Sequence, residues 1–92
     1  MNYTYVLQSE KDGRWYTGQT ADLRDRLRQH LRGEVISTRP RRPLRLVYYE
    51  ACLTQADAIR RERYLKTGRG KKYLRQRLAS WLDICRDKLE RH

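Results

Sequence analysis

The first twenty residues contain two short β-rich stretches on either side of a polar turn, which is the pattern of a β-hairpin. Residues 3–8 are rich in β-branched and aromatic side chains, and a polar turn containing glycine separates them from residues 15–17. Gly18 is expected to end the second strand in a turn. Because the two strands run side by side, we expect Tyr5 and Tyr16 to meet across the sheet.

The hydrophobic period changes after the hairpin and predicts a short amphipathic helix. Three leucines recur at four-residue steps, and Gly33 follows them as a stop signal. Either Thr20 or Asp22 can cap the first turn of this helix. The leucine stripe is predicted to face the core, and its members are Leu23, Leu27 and Leu31.

A proline-containing loop and a third strand are predicted after this helix. Residues 34–43 contain two prolines, which exclude a helix, and three arginines, so we interpret them as a mobile or extended basic arm. Residues 44–50 alternate weakly and contain enough β-branched and aromatic side chains for a strand.

Two further helices are predicted in the second half of the chain. Thr54 opens a capping-box pattern, and the helix that follows runs through Lys66. A long apolar stripe predicts one C-terminal helix over residues 70–91. Together these elements predict a single α+β domain over residues 1–92, in which a small three-stranded antiparallel sheet is flanked by helices.

The charge balance adds the strongest indication of a partner. Lys and Arg number 22 against 11 acidic residues, which gives a net charge of +11. Such a charge attracts polyanions, and arginine suits bidentate contacts with phosphate. Nucleic acid is the leading partner. A membrane-surface adaptor that uses the basic C-terminal helix is a weaker alternative, because the apolar face of that helix is needed for the core.

The remaining composition argues for an intracellular protein. No apolar run approaches the roughly 20 residues of a membrane-spanning helix, and the N-terminus lacks the apolar region of a signal peptide. Cys52 and Cys85 each lie in an apolar pattern and are too far apart in sequence for a metal knuckle. We interpret them as reduced, buried thiols in a cytoplasmic protein.

The first helix and the hairpin carry candidate phosphate-handling residues. Arg26 and His30 are four residues apart and share a helix face, roughly 60° from the leucine stripe and so at the border of the core. Arg26 could neutralise charge on a phosphate while His30 orients water, although a solvated face explains both equally simply. Tyr5 and Tyr16 are more often packing residues than catalysts, and a phenol acts as a base only where nearby cations favour the phenolate.

Glu62 is the most informative residue of the second helix. It points inward with the apolar residues Ala58 and Leu65, where a carboxylate is out of place. An ion pair with an arginine is one explanation for this position. The other is a ligand for Mg²⁺ or Mn²⁺, because such ions often take one or two protein carboxylates and complete their coordination with phosphate oxygens.

In this order, the candidate residues resemble the GIY-YIG nuclease domain. Residues 3–5 and 16–18 match the two halves of the family signature, with Tyr3 in place of the leading glycine. Arg26 falls on the family's catalytic arginine, and Glu62 on its metal-binding glutamate. The chain is most similar to the small stand-alone bacterial members, and it also resembles structure-selective nucleases and the excision-repair nuclease subunit. Gln19 stands where that subunit often has a lysine.

The resemblance implies an endonuclease that hydrolyses phosphodiester bonds in DNA with one Mg²⁺ (or Mn²⁺) ion. Glu62 would hold the metal, Tyr5 is favoured over Tyr16 as the general base, and Arg26 would stabilise the transition state. Branched, flapped or damaged DNA are the expected substrate classes. The alternative is a non-catalytic nucleic-acid-binding module of the same fold, and a homodimer or an unseen protein partner stays open.

The basic residues divide into candidate phosphate contacts on three segments. Basic residues of the first helix, of the proline-containing loop and of the segment where the C-terminal helix starts are predicted to hold the nucleic-acid backbone. The predicted contacts are Arg24, Arg28, Arg39, Arg41, Arg42, Arg69, Lys71 and Lys72.

Overall fold

A three-stranded antiparallel sheet forms the centre of the fold. The computed structural model of the protein describes residues 1–90, with side chains as far as Lys88. The central strand is β1 (Asn2–Ser9), which pairs with β2 (Trp15–Thr20) on one side and with β3 (Leu44–Cys52) on the other. The predicted α+β class and the three-stranded antiparallel sheet are therefore confirmed.

Helices cover both faces of this sheet. They are α1 (Leu23–Arg32), a 3₁₀ turn (Arg39–Arg41), α2 (Gln55–Leu65), α3 (Gly68–Arg77) and α4 (Ala79–Glu90). Within residues 1–90, no helix has both the length and the apolar character needed to cross a lipid bilayer.

Alternate residues of β1 enter two separate hydrophobic clusters, one on each face of the sheet. Tyr5 and Leu7 pack with the leucines of α1, whereas Val6 packs with Leu65 of α2 and Leu74 of α3. All five of these side chains are at most 1% exposed. The period of two along the central strand therefore produces three layers, with α1 on one face and the later helices on the other.

The first helix has the predicted caps but a different buried face. Asp22, not Thr20, is its N-cap, since its carboxylate accepts a hydrogen bond from the Asp25 amide at 3.0 Å. A four-residue step advances about 40° around a helix, so Leu31 has rotated away from the sheet by the last turn. It is 49% exposed, and the prediction that it is core is wrong. His30 takes the buried position instead.

Gly18 lies inside β2, where it does not form the predicted turn. Its direct partner across the sheet is Tyr5, while Tyr16 pairs with Leu7. The two tyrosines are thus diagonal neighbours on one face of the sheet. A Cβ at Gly18 would lie 2.6 Å from the Tyr5 hydroxyl oxygen, so only glycine leaves room for the tyrosine ring.

The proline-containing loop is folded against the domain, and the prediction of a mobile or extended arm is wrong. Its 3₁₀ turn is fastened to α1, because the Arg39 Nε donates to the Gly33 carbonyl at 2.7 Å. Ser9 fastens it to β1 by donating from its hydroxyl to the Arg41 carbonyl at 2.7 Å. Proline at the start of a 3₁₀ turn is compatible with its backbone, so the two prolines did not exclude a helical turn.

The C-terminal segment forms two helices where one was predicted. Leu78, with φ −107° and ψ 25°, ends α3, and the chain turns there before α4 begins. The turn allows Leu74 to pack under the sheet and Trp81 to reach Gln8 at the end of β1, to which its indole donates at 2.6 Å. The last residue of the predicted helix, Arg91, lies outside the described residues.

The two cysteines are free and only partly buried, so the prediction of buried thiols is wrong. Cys52 is the last residue of the edge strand β3, and Cys85 lies on α4 at the margin of the domain. Positions at the margin of so small a sheet are not covered on all sides.

Candidate active site

A buried chain of hydrogen bonds joins three elements at the centre of the site. The Tyr5 hydroxyl lies 2.8 Å from the His30 Nε2, and the His30 Nδ1 lies 2.8 Å from the Thr38 hydroxyl. These three residues are at most 1% exposed. The predicted position of His30 at the border of the core is therefore wrong. His30 contacts the Tyr5 hydroxyl directly, and it thereby fixes the orientation of that phenol.

The environment of His30 keeps its imidazole neutral. Burial, and then the nearby charge of Arg26, lower the pKa of His30 from 6.5 to about 4. A neutral imidazole donates through one nitrogen and accepts through the other. Both hydrogen bonds fit either neutral tautomer: with its proton on Nε2 the ring donates to the Tyr5 oxygen, and with its proton on Nδ1 it accepts from the Tyr5 hydroxyl.

The Tyr5 phenol is subject to opposing influences. Burial raises the pKa of Tyr5 above its ordinary value of 10.0, and the Arg26 guanidinium acts in the opposite direction. The charge of Glu62 adds a smaller rise to the same pKa. A phenol, a guanidinium and a carboxylate from three different elements are therefore within electrostatic reach of one another.

Tyr16 and Arg26 complete the surroundings of His30. The Tyr16 ring meets the imidazole edge-on, with centroids 5.3 Å apart, and remains partly exposed. Arg26 lies one turn before His30 on α1, and its Nη1 donates to the Gln29 Oε1 at 2.8 Å. Gln29 in turn donates to Asp25 at 3.0 Å. The guanidinium is thus held at the rim of the site by its own helix.

The position of Glu62 follows from how α2 is fastened to the sheet. The preceding residue, Arg61, donates from its Nε to the Glu50 carboxylate at 2.6 Å and stacks on the Tyr73 ring at 4.8 Å. The Thr4 hydroxyl donates to the Ala58 carbonyl at 2.9 Å, which ties the same helix to β1. These contacts fix the register of α2 against the sheet and hence the height of Glu62 beside it.

Glu62 itself is partly buried and paired with a lysine. Its side chain is 21% exposed, and Lys66 donates to its Oε1 at 3.0 Å. The sequence predicted either an arginine partner or a metal. Lys66 is a site residue that the sequence analysis missed, although the four-residue spacing of Glu and Lys on a helix is a recognised signal for such a pair.

The donor set fits a magnesium-type ion and no softer metal. Across residues 1–90, no group of three or more His, Cys, Asp or Glu side chains could hold a metal ion. A single carboxylate at the edge of a phosphate-binding site suits Mg²⁺, which keeps several waters and takes its other ligands from the substrate. Glu62 has the required hard oxygen atoms and the required access to solvent.

Comparison with known proteins identifies the family. The family model of the GIY-YIG catalytic domain matches residues 1–75. The chain belongs to the GIY-YIG family. UPF0213 proteins from Staphylococcus aureus strains Mu3 and Mu50 are each 37% identical over 75 residues, a match that covers 80% of this chain and 90% of theirs. The family is one of nucleases, and the predicted resemblance is confirmed.

A solved structure supports the same conclusion for the fold. The solution NMR structure of the UPF0213 protein BH0048 from Bacillus halodurans is 40% identical, with a TM-score of 0.50. The match covers 80% of this chain and 82% of that one. The compact GIY-YIG domain is therefore the common core of these proteins, and α4 lies beyond the segment that the family model matches.

The sheet divides the predicted phosphate contacts of this GIY-YIG domain into two groups. Arg24 and Arg28 are exposed on α1, but each is two residues from Arg26 and so points to nearly the opposite side of the helix. The arginines of the 3₁₀ turn lie at the end of the same helix, where Arg42 packs over Gly33. A second group, Arg69, Lys71 and Lys72, is exposed on α3, on the other face of the sheet.

Thr38 is the other site residue that the sequence analysis missed. It precedes the 3₁₀ turn and is buried against His30, eight residues earlier in the chain. A threonine in a polar, proline-containing segment has no local pattern that signals burial. Only the folding of the loop back onto α1 brings its hydroxyl to the imidazole.

Proposed function

We propose that this protein is a divalent-metal-dependent endonuclease that hydrolyses phosphodiester bonds in DNA. The observation that carries the proposal is the buried 2.8 Å hydrogen bond between Tyr5 and His30, with Arg26 one turn before His30 on α1 and the partly buried Glu62 on α2. Base, cation and carboxylate are the parts that phosphodiester hydrolysis requires. Membership of a nuclease family supports the same reaction.

In this proposal, Tyr5 acts as the phenolate and accepts the proton of the attacking water, while neutral His30, with its proton on Nε2, donates a hydrogen bond to the phenolate oxygen. His30 holds the phenol by the 2.8 Å hydrogen bond, and its pKa of about 4, lowered by burial, makes it a poor store for that proton. Its role is therefore to orient Tyr5. Tyr16, partly exposed beside it, positions the water or a phosphate oxygen, and Arg26 stabilises the negative charge that develops on the phosphate oxygens in the transition state.

Glu62 is the residue that would hold Mg²⁺ or Mn²⁺. The ion would supply Lewis-acid stabilisation of the leaving oxygen and positive charge that favours the Tyr5 phenolate. For Glu62 to take this part, Lys66 has to yield its place on the carboxylate. The Lys66 side chain is 56% exposed, so solvent screens this partly buried pair and its rearrangement costs little.

A cleavage panel tests the proposal. Labelled single-stranded, flapped and branched DNA are incubated with Mg²⁺ or Mn²⁺ and with wild-type protein, Glu62→Gln or Arg26→Ala. We expect each variant to lose about a hundredfold or more of the cleavage rate. The matched control is Glu34→Gln, which neutralises an exposed glutamate outside the site. Equal cutting by wild type and Glu62→Gln would show that the nuclease is a contaminant.

The pairing of Glu62 with Lys66 favours a second candidate function. A carboxylate that is already neutralised by a lysine is also what a non-catalytic nucleic-acid-binding module of this fold would contain. Such a module would bind the same DNA panel without cutting it under either metal. Lys66→Met separates the two functions, because it should lower the metal concentration needed for cutting in a nuclease and should leave a binding module inactive.

A further inference from the structure

An aromatic pair lies on the sheet beside Tyr5. Tyr49 of β3 is the direct cross-strand partner of Tyr5, and Tyr3 precedes Tyr5 by two residues on β1. Direct partners across a sheet, and residues two apart along a strand, project from the same face. The three tyrosines therefore share the face of the sheet that carries the candidate active site.

The members of this group differ sharply in exposure. Tyr5 is 1% exposed, whereas Tyr49 is 55% exposed, which is unusual for a tyrosine in the middle of a strand. The Tyr3 ring supports Tyr49 edge-on, with centroids 6.2 Å apart and an angle of 61° between the rings. Such a pair presents a fixed ring to solvent, since the edge-on contact restrains its orientation.

We infer that Tyr49, supported by Tyr3, is a stacking platform for an unpaired base of single-stranded DNA next to the scissile phosphate. The inference rests on the proposed nuclease function and names its substrate class. Aromatic rings beside a positively charged groove are a common way to bind single-stranded nucleic acid, because every base has a stacking face. The bases of a duplex are already stacked and paired, so they cannot lie on the ring.

Position and charge both support a nucleic-acid occupant. Neighbouring strands of a sheet are about 4.8 Å apart, so Tyr49 and Tyr5 project from adjacent positions on one face. A base on Tyr49 therefore belongs to a nucleotide within one or two of a phosphate at Tyr5. Arg26 borders that phosphate position, and the net charge of +11 favours a polyanion over a neutral or basic protein surface.

Binding measured without cleavage tests the platform. Full-length protein carrying Glu62→Gln is titrated, by fluorescence anisotropy, with a single-stranded oligonucleotide and with a duplex of the same sequence. Tyr49→Leu is added to this background, with Tyr49→Phe as the variant that keeps the ring. Ile84→Ala on α4 is the matched control, because Ile84 is a similarly exposed apolar residue, at 49%, on the opposite side of the sheet.

We expect Tyr49→Leu to weaken single-strand binding roughly tenfold and to leave duplex binding unchanged. Tyr49→Phe and Ile84→Ala should bind like the parent. 2-Aminopurine placed next to the cleaved bond should be quenched on binding, and Tyr49→Leu should abolish that quenching. An equal loss of affinity for single strand and duplex, or no loss of affinity, would overturn the platform. It would also be overturned if sedimentation showed that the protein is a dimer and that Tyr49→Leu dissociates it.

The two proposals fail in distinguishable ways. Binding with the expected Tyr49 dependence but without cutting by the Glu62-containing protein would reject the nuclease and keep the platform. Cutting that requires Glu62, together with single-strand binding that Tyr49→Leu does not change, would reject the platform and keep the nuclease.

Discussion

His30 is the residue on which the orientation of the candidate base depends. It contacts Tyr5 and Thr38 from a position with no exposed surface. A seven-residue step on a helix returns within about 20° of its starting direction, so His30 lies almost in line with Leu23 on the buried face. The four-residue spacing of Arg26 and His30 does not reveal that His30 is buried, because Arg26 lies at the edge of the buried helix face and His30 lies within it.

The buried His30 predicts a specific loss of stability in acid. Its pKa is lowered by burial to about 4 in the folded protein, against 6.5 when unfolded. Above pH 6.5 the His30 imidazole is neutral in both the folded and the unfolded state, so it does not change the free energy of unfolding. As the pH falls from 6.5 towards 4, protonation favours the unfolded state, and the free energy of unfolding should drop by roughly 3 kcal/mol from this residue alone.

Urea denaturation at a series of pH values measures this contribution. His30→Gln cannot titrate, so its free energy of unfolding should fall less steeply than that of the wild type between pH 6.5 and 4. The carboxylates common to both proteins contribute equally and cancel in the comparison. Parallel curves for the two proteins would show that His30 is not held neutral by the fold.

Gly18 is the second residue on which the site depends, because the Tyr5 ring lies over it. Gly18→Ala places a Cβ 2.6 Å from the hydroxyl oxygen and 2.7 Å from Cζ of Tyr5. The ring is buried and hydrogen-bonded, so we expect a loss of about 1–3 kcal/mol in the free energy of unfolding. Cleavage should fall as well, because Tyr5 has to leave His30.

A double-mutant cycle identifies the cause of that loss. In a Tyr5→Leu background the clash is removed, so Gly18→Ala should cost much less in thermal or urea denaturation. The same cost in both backgrounds would place the strain in the β2 backbone and would contradict the packing of Tyr5 on Gly18.

At the scale of the elements, local signals predict where α1 and α2 begin and where α1 ends. Asp22 and Thr54 cap α1 and α2 through their side chains, and Gly33 ends α1 in the left-handed conformation at φ 79°. Leu78 has no such signal, because the apolar stripe continues through it. The break there lies between Leu74, which packs under the sheet, and Trp81, which donates to Gln8 near the end of β1.

The junction of α2 and α3 is held by a close backbone approach at Gly70. A Cβ there would overlap the carbonyl of Tyr64 and lie 2.5 Å from the Cα of Leu65. Because both obstacles are backbone atoms, Gly70→Ala should lower the free energy of unfolding by about 3 kcal/mol. Gly68, two residues earlier on α3, has no atom within 4 Å of its Cβ position.

Gly68→Ala is therefore the matched control, and we expect it to be neutral or to stabilise by up to about 1 kcal/mol, since alanine is the better helix former. Urea midpoints of the two variants measure the difference. If both variants had the same midpoint, α3 would not rest on the end of α2 as described.

At the scale of the whole molecule, the predicted site residues lie on different elements, and no local sequence pattern predicts that they lie close together. Tyr5, Arg26 and Glu62 come from β1, α1 and α2, and the resemblance to a known family is what placed them together in advance. Thr38 and Lys66 were absent from that expectation. The folding of a loop back onto a helix is a property of the assembled domain, whereas the Glu62–Lys66 pair follows from a four-residue helical spacing.

The distribution of charge over the molecule gives the last prediction. DNA that crosses the face carrying Tyr5 and Tyr49 lies on the α1 side of the sheet, away from α3. The double variants Arg24→Gln with Arg28→Gln, and Lys71→Gln with Lys72→Gln, each remove two exposed charges. They change the net charge equally and differ only in the face from which the charges are removed.

The dependence of the dissociation constant on salt separates the two faces. Each single-strand phosphate contact contributes about 0.7 to the slope of log K against log salt concentration. DNA that continues over α1 reaches Arg24 and Arg28 on the side of the helix away from Arg26, so the α1 variant should reduce the slope by up to about 1.4, and the α3 variant by less than half as much. Equal reductions would mean that the charge acts as a general field around the domain and that DNA has no preferred face.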